Sequence, residues 1–356
     1  MIFDNLDITN LVINTSSFLS FSAMLFLGYK LGEANSEFTL EEKFAKGESS
    51  FIAPSVCQMV YDYNLDMYNI DSNSYREYVF LFLGVVCTNP DFRDFDLSCF
   101  YNNINDLTIT KLFNFGNTRI CGVYNPVLNV MKLEERKRSK LFTFIHELLH
   151  MSSSYVSNGI IYSGFCQSYN TNKHHEIGRG INEGYTQLLT RKYFGDRDNS
   201  YTVEIFIADR LCEIIGIDKM MDLYSKGNLS GLIEEISSFS SKKEATKFIV
   251  DVDFINKYIG KLKNNKTEAN CISNKLMDIS KTLVKCFNEK LNNDHSLGLI
   301  TQSEKNEKLN EFITKFTQFS FEKCKNFYTF YGNNQDKYIA SVLEYKKKDN
   351  QKKLIR

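Results

Sequence analysis

The chain has 356 residues, with 43 Lys plus Arg balanced by 43 Asp plus Glu, so its formal charge excludes any bulk electrostatic attraction to nucleic acid or to an anionic membrane. That length is enough to bury a sizeable core, in one large domain or in two to three lobes. Nine cysteines, odd in number and with no Cys-x-x-Cys pair, read as reduced thiols rather than as a disulfide framework.

Leu11 to Gly28 is the nearest approach to a targeting or membrane segment. Asn14, Thr15, Ser16, Ser17, Ser20 and Ser22 make it too polar for a spanning helix. Asp4 and Asp7 precede it and the first basic residue is Lys30, the wrong charge order for a signal peptide. The expectation is a cytoplasmic protein without membrane contact; export by a route that uses no N-terminal signal would leave the same pattern. Residues 1–37 are expected to dock as a separate N-terminal segment. Thr39-x-x-Glu42 and Ser74-x-x-Glu77 are capping-box patterns, so helices are expected near 40 and 75. The second carries Tyr78 to Leu83 and is apolar enough for a core. Asn89-Pro90-Asp91 marks a turn.

From Leu107 to Met131 the texture changes to β, with alternating runs at Leu107–Leu112, Thr118–Tyr124 and Val127–Leu133. Asn125-Pro126 interrupts the last two, which places one of them at a sheet edge. Gly122–Met131 is the candidate for an edge strand that takes up an extended peptide by strand addition; a plain hairpin is the alternative. After a charged stretch from Glu134 to Lys140 comes Leu-Phe-Thr-Phe-Ile-His-Glu-Leu-Leu-His-Met, residues 141 to 151. Its apolar positions surround most of a helix, which therefore reads as buried. On that helix His146 and His150 are i and i+4, so both can offer a ring nitrogen to one metal ion. Glu147 points beside the pair, where it can take a proton from a metal-bound water without being a ligand. Two histidines and a glutamate inside a buried helix need partners, although a core helix with two satisfied histidines is the bland alternative.

A two-histidine site needs a third protein ligand. The metzincin pattern would require Gly at 153 and His at 156, and the chain has Ser153 and Val156. Cys121 is an upstream thiol, but other marks of the peptide deformylases are missing. Glu183, in Ile181-Asn182-Glu183-Gly184-Tyr185-Thr186-Gln187, opens an apolar-periodic stretch that reads as a second helix and fits best. Between the two helices, residues 152–180 are loop-like, with strand potential at 160–165 and 166–169. They hold His174 and His175, which are candidates for an oxyanion donor, as are Tyr169, Tyr185, Tyr193 and Tyr201; the histidines are also possible alternative ligands. A helix is expected over Val203–Ile215 with Gly216 as its C-cap, and Glu204 and Asp209 are expected on its surface, with hydrogen-bonding support of the site residues as the alternative. The C-terminal third reads as helical, from the spacing of Ile272, Leu276, Ile279, Leu283, Phe287 and Leu291 and from the cap Thr301-x-x-Glu304. The basic tail from Lys346 reads as a solvated end, with a nucleic-acid or membrane contact as the lesser alternative.

His146-Glu147-x-x-His150 followed by Asn182-Glu183-Gly184-x-Thr186 resembles the gluzincin group of zinc metallopeptidases, which includes thermolysin and the clostridial neurotoxin light chains. The gap of about 32 residues between His150 and Glu183 is closer to that of the light chains. The specific motifs cover about residues 120–195. A weaker likeness to uncharacterised bacterial zincin-like proteins continues through Ile205–Gly216 and Tyr224–Leu229. The resemblance implies one zinc ion per chain, held by His146, His150 and Glu183, with Glu147 as general base and then proton shuttle to the leaving amine. Gln187 stands where thermolysin-like enzymes carry an acidic residue that orients a ligand histidine, and a glutamine raises ligand basicity less. Asn182 and Thr186 are candidates for hydrogen bonds around the ligands or for helix N-cap chemistry.

The resulting expectation is an α+β, zincin-like protein with a small mixed sheet, an active-site helix, a helical second lobe and a cleft between the lobes. Residues 1–37 form the N-terminal segment, 38–250 the catalytic domain and 251–356 a helical extension. The expected function is zinc-dependent peptide-bond hydrolysis. Absence of the Gly-x-Met-Glu-Asn aminopeptidase signature tilts this toward an endopeptidase acting on peptide or protein substrates. A catalytically inactive zinc-binding interaction module and a metal-free helical binding protein are the rival readings.

Overall fold

The computed structural model describes residues 73–112, 121–134, 140–169, 176–196, 200–259 and 266–322. The expected N-terminal segment, the helix near 40, most of the charged stretch before the histidine helix, His174, His175 and the basic tail lie outside them. The described residues are α+β, mainly helical with short strands. Among them no helix is long and apolar enough to cross a membrane. The seven described cysteines are free thiols. Two compact units emerge from the chain's contacts. One takes the described residues up to Gly164 together with Thr190–Asp196 and Tyr224–Gly227; the other takes Phe165–Leu189, Arg197–Leu223 and the described residues from Asn228.

In the first unit, helix α1 (Asn73–Thr88) ends before a 3-10 turn at Pro90–Phe92, where the Asn89 side chain accepts from the Asp91 amide. Val79, Phe82 and Leu83 of α1 are fully buried, as its apolar run requires. Helix α2 (Ser98–Ile104) leads to strand β1 (Thr108–Lys111). Strands β2 (Gly122–Asn125) and β3 (Val130–Leu133) pair antiparallel, and β1 pairs parallel to β3, so the order is β1-β3-β2. Gly122–Met131 is therefore not one strand. The turn that begins at Asn125, whose side chain accepts from the amides of Val127 and Leu128, folds it into a hairpin. Of the hairpin's two strands β2 is the one at an edge, while Val130 and Met131 belong to the central strand.

Helix α3 (Lys140–Ser152) follows, with Phe144, Ile145, Leu148, Leu149 and Met151 fully buried. Tyr75 and Tyr78 of α1 pack their rings 5.2 and 5.8 Å from that of Phe144. The end of α3 is closed by hydroxyls rather than by glycine. Ser152 donates to the Leu148 carbonyl, Ser153 to those of Leu149 and His150, and Ser154 to that of His150. These satisfy carbonyls that a helix end leaves without partners. Strand β4 (Ser154–Ser157) then pairs antiparallel with β5 (Ile160–Ser163).

In the second unit, β6 (Cys166–Tyr169) pairs antiparallel with β7 (Glu176–Ile177) ahead of helix α4 (Arg179–Phe194), whose last residues belong to the first unit. The helices that follow are α5 (Thr202–Ile215), α6 (Ile217–Ser225), α7 (Leu229–Ser238), α8 (Lys242–Ile259), α9 (Lys266–Ser296) and α10 (Gln302–Glu322). Gly216 ends α5 at φ +102°, as expected of a C-cap. Thr301 and Glu304 form the reciprocal capping box before α10. Ile272, Ile279, Leu283 and Leu291 of α9 are buried, and Phe287 stacks on Phe312 of α10 at 4.0 Å.

Asn103 of α2 joins the hairpin to the end of α3. Its side chain donates to the carbonyls of Met151 and Ser154, and its own carbonyl accepts from Asn129, which in turn accepts from the Tyr124 hydroxyl. Asn103→Ala removes both donors at once and is expected to lower stability by about 1–3 kcal/mol, read as a fall in the urea midpoint at unchanged slope.

Candidate metal centre

His146 and His150 lie one turn apart on α3 because the helix puts i and i+4 on one face. Both are 8 % exposed. Their Nε2 atoms are 3.1 Å apart. Two imidazoles on a tetrahedral zinc, with Zn–N bonds of 2.0–2.1 Å, would hold their nitrogens about 3.3 Å apart, so the pair is already spaced for a shared ion. The ligand atoms of His146, His150 and Glu183 all lie within 4.8 Å of one another. Among the described residues this is the one group of histidine, cysteine and acidic side chains gathered closely enough to hold an ion. Cys121, weighed as an upstream ligand, is not part of it.

The donor set fits a divalent metal. Two imidazole nitrogens and one carboxylate oxygen would make a three-ligand site of mixed nitrogen and oxygen donors. Glu147, 6 % exposed, follows His146 directly on α3 and stands outside the ligand group. Strand β2 passes close over it. A Cβ on Gly122 would come within 2.8 Å of Glu147 Oε1 and 2.7 Å of the Thr143 methyl, so the strand starts beside that carboxylate only because residue 122 has no side chain.

Around Glu183 each residue of the Asn-Glu-Gly run has its own task. The Asn182 side chain accepts from the Phe165 amide at 3.0 Å, fixing the entrance to β6. Gly184 lets α5 approach, since a Cβ there would lie 2.4 Å from the Glu204 carbonyl oxygen. Thr186 donates to the Asn182 carbonyl within the helix. Neither Asn182 nor Thr186 is an N-cap, because α4 starts earlier, at Arg179. Arg179, one turn before Glu183, has Nη1 3.1 Å from Glu176 Oε2 and Nε 3.8 Å from Glu183 Oε1. Burial works against its charge, but Glu183 and Glu176 outweigh that and hold the guanidinium above its ordinary value.

Glu204 corrects the expectation of a surface residue. It is 2 % exposed on α5, with the Asn256 side chain donating to Oε1 at 3.1 Å. The helical period gave no hint of this, because its partner comes 52 residues later and the close packing depends on Gly184. Burial holds the carboxyl above the ordinary carboxylate range; its own backbone amide and Asn256 oppose that, and the charge of Glu183 adds to it.

Of the tyrosines considered as oxyanion donors, Tyr185 is buried against Phe165, with its hydroxyl 3.9 Å from the Met221 sulfur. Tyr193 donates to Asp91. Tyr169 is exposed on β6. Tyr201, the left-handed residue that precedes α5, is near enough to Arg179 to influence its charge.

No protein-family model, no curated protein sequence and no solved structure matches the chain.

A carboxyl whose folded value is raised contributes stability fully present below its unfolded value, near 4.5, and lost as pH rises through the folded value. Glu204→Gln is therefore expected to gain on the wild type as pH rises above that point, in urea unfolding of the metal-free protein across pH 4.5 to 8. A stability difference independent of pH would show that burial does not raise the Glu204 carboxyl.

Proposed function

We propose that this protein is a zinc-dependent peptidase of the gluzincin type, acting as an endopeptidase on extended polypeptide. The observation that carries the reading is the convergence of His146, His150 and Glu183 within 4.8 Å beside a buried Glu147 that is not part of the group. Glutamate adjacent to a helical histidine pair is the arrangement in which a base stands next to an ion without being consumed as a ligand.

The two imidazoles and the Glu183 carboxylate would hold the ion. Zinc, when bound, supplies Lewis acidity that polarises a substrate carbonyl and makes a water more acidic. The Glu147 carboxylate takes the proton of the attacking water and later delivers it to the leaving amine nitrogen. Burial of α3 keeps bulk solvent from competing for that carboxylate. The edge strand β2 supports the choice of an extended peptide. Among the described residues it is paired on one side only, Val123 on it is exposed, and its first residue lies against Glu147. An extended chain added along that edge would run past the base.

Elemental mass spectrometry of the purified protein tests the metal. One zinc per chain is expected in the wild type, with most of it lost in Glu183→Ala and in His146→Ala. Glu147→Gln is expected to keep its zinc and to lose peptide hydrolysis by at least about 100-fold. A wild type that takes up no zinc after supplementation overturns the reading. Stoichiometric zinc without cleavage of any peptide in a diverse library would make the protein a zinc-binding interaction module instead.

A further inference from the structure

Helix α4 begins without a capping side chain of its own. The residue before it is Gly178, at φ +86°, where a Cβ would lie 1.9 Å from the Phe165 carbonyl oxygen. The first amides of a helix have no partner within it, and the usual remedy, a Ser, Thr, Asp or Asn at this position, is sterically barred here. The carboxylate comes from another helix. Asp253 of α8 accepts from the Gly178 amide through Oδ2 and from the Gly180 amide through Oδ1, both at 2.8 Å. Gly180 also allows direct backbone contact, since a Cβ on it would be 2.7 Å from the Val252 carbonyl oxygen.

We propose that Asp253 is a positioning residue for the metal centre: by capping α4 across two amides it sets where Glu183, less than one turn further on, presents its carboxylate. The inference rests on the proposed metal site. Two bonds from one rigid, planar group constrain the first turn in both tilt and rotation, which a single bond does not. The negative charge also sits at the positive end of the α4 dipole. Between the two capped amides is Arg179, which pairs with Glu176 and Glu183, so the same turn carries the ion pair beside the ligand. Asp253 is not among the side chains gathered at the centre, so its influence passes through the backbone of α4.

A cap that served stability alone would change melting but not metal affinity. The control is Asp251, two residues earlier on α8, a buried carboxylate paired with Lys247 and Lys275. The experiment measures zinc affinity by competition with a chromophoric chelator, the visible spectrum of the cobalt-substituted protein and the melting temperature. It compares the full-length wild type with Asp253→Ala, Asp253→Asn and Asp251→Asn. Asp253→Ala is expected to weaken zinc binding by about 10- to 100-fold, the usual cost of losing a group that orients a ligand, and to shift the cobalt bands. Asp253→Asn, which keeps one acceptor oxygen, is expected to fall between it and the wild type, and it carries the test should the alanine variant fail to fold. Asp251→Asn is expected to melt lower with zinc affinity and cobalt spectrum unchanged. Wild-type zinc affinity in a folded Asp253 variant overturns the proposal and leaves the metal centre standing. A wild type that binds no zinc overturns both.

Discussion

Everything around the centre follows from placing ionisable groups in the part of α3 that is buried, from Phe144 to Ser152. Helix α3 buries apolar side chains on nearly every face, yet His146, Glu147 and His150 are equally enclosed. Burying such groups costs several kcal/mol each in rough terms unless they find partners. Two imidazole nitrogens 3.1 Å apart can share one proton between them, or they can share one cation. The Glu183 carboxylate lies within the same few ångströms, so the three side chains could satisfy one positive charge together.

The supports of the centre differ in kind on its two sides. On α3 they are local: successive serine hydroxyls return to carbonyls three or four residues back, and Asn103 closes the last ones. On α4 they are remote: Phe165 is held by Asn182, α5 packs on Gly184, and the helix start is held from α8. The same three-letter run that suggests a ligand is thus also a packing device, in which only the middle residue joins the candidate metal group.

This difference explains what could be read from the sequence. The histidine helix, the α5 cap at Gly216 and the Thr301–Glu304 box are patterns within a few residues of chain, and they appear where the spacing puts them. The candidate triad was also legible: helical spacing pairs His146 with His150, and the Asn182-Glu183-Gly184-x-Thr186 run, through its resemblance to the gluzincins, pointed to Glu183. The burial of Glu204 was not, because it is decided by Asn256 and by the missing side chain of Gly184. Nor was the role of Asp253, which on the sequence is one acidic residue among many on an amphipathic helix. The hairpin in Gly122–Met131 lay between: Asn125-Pro126 signalled a break, but strand order decides which half is the edge.

The separation between Asp253 and the amides it holds, 75 and 73 residues, also orders events during synthesis. A chain leaving the ribosome can wind α3 and bring its two imidazoles together from nearest-neighbour contacts alone. The helix that carries Glu183 is finished only after α5, α6, α7 and much of α8 have been made. For that interval a nascent chain has two of the candidate ligands in place and lacks the cap behind the third, so the full group assembles late.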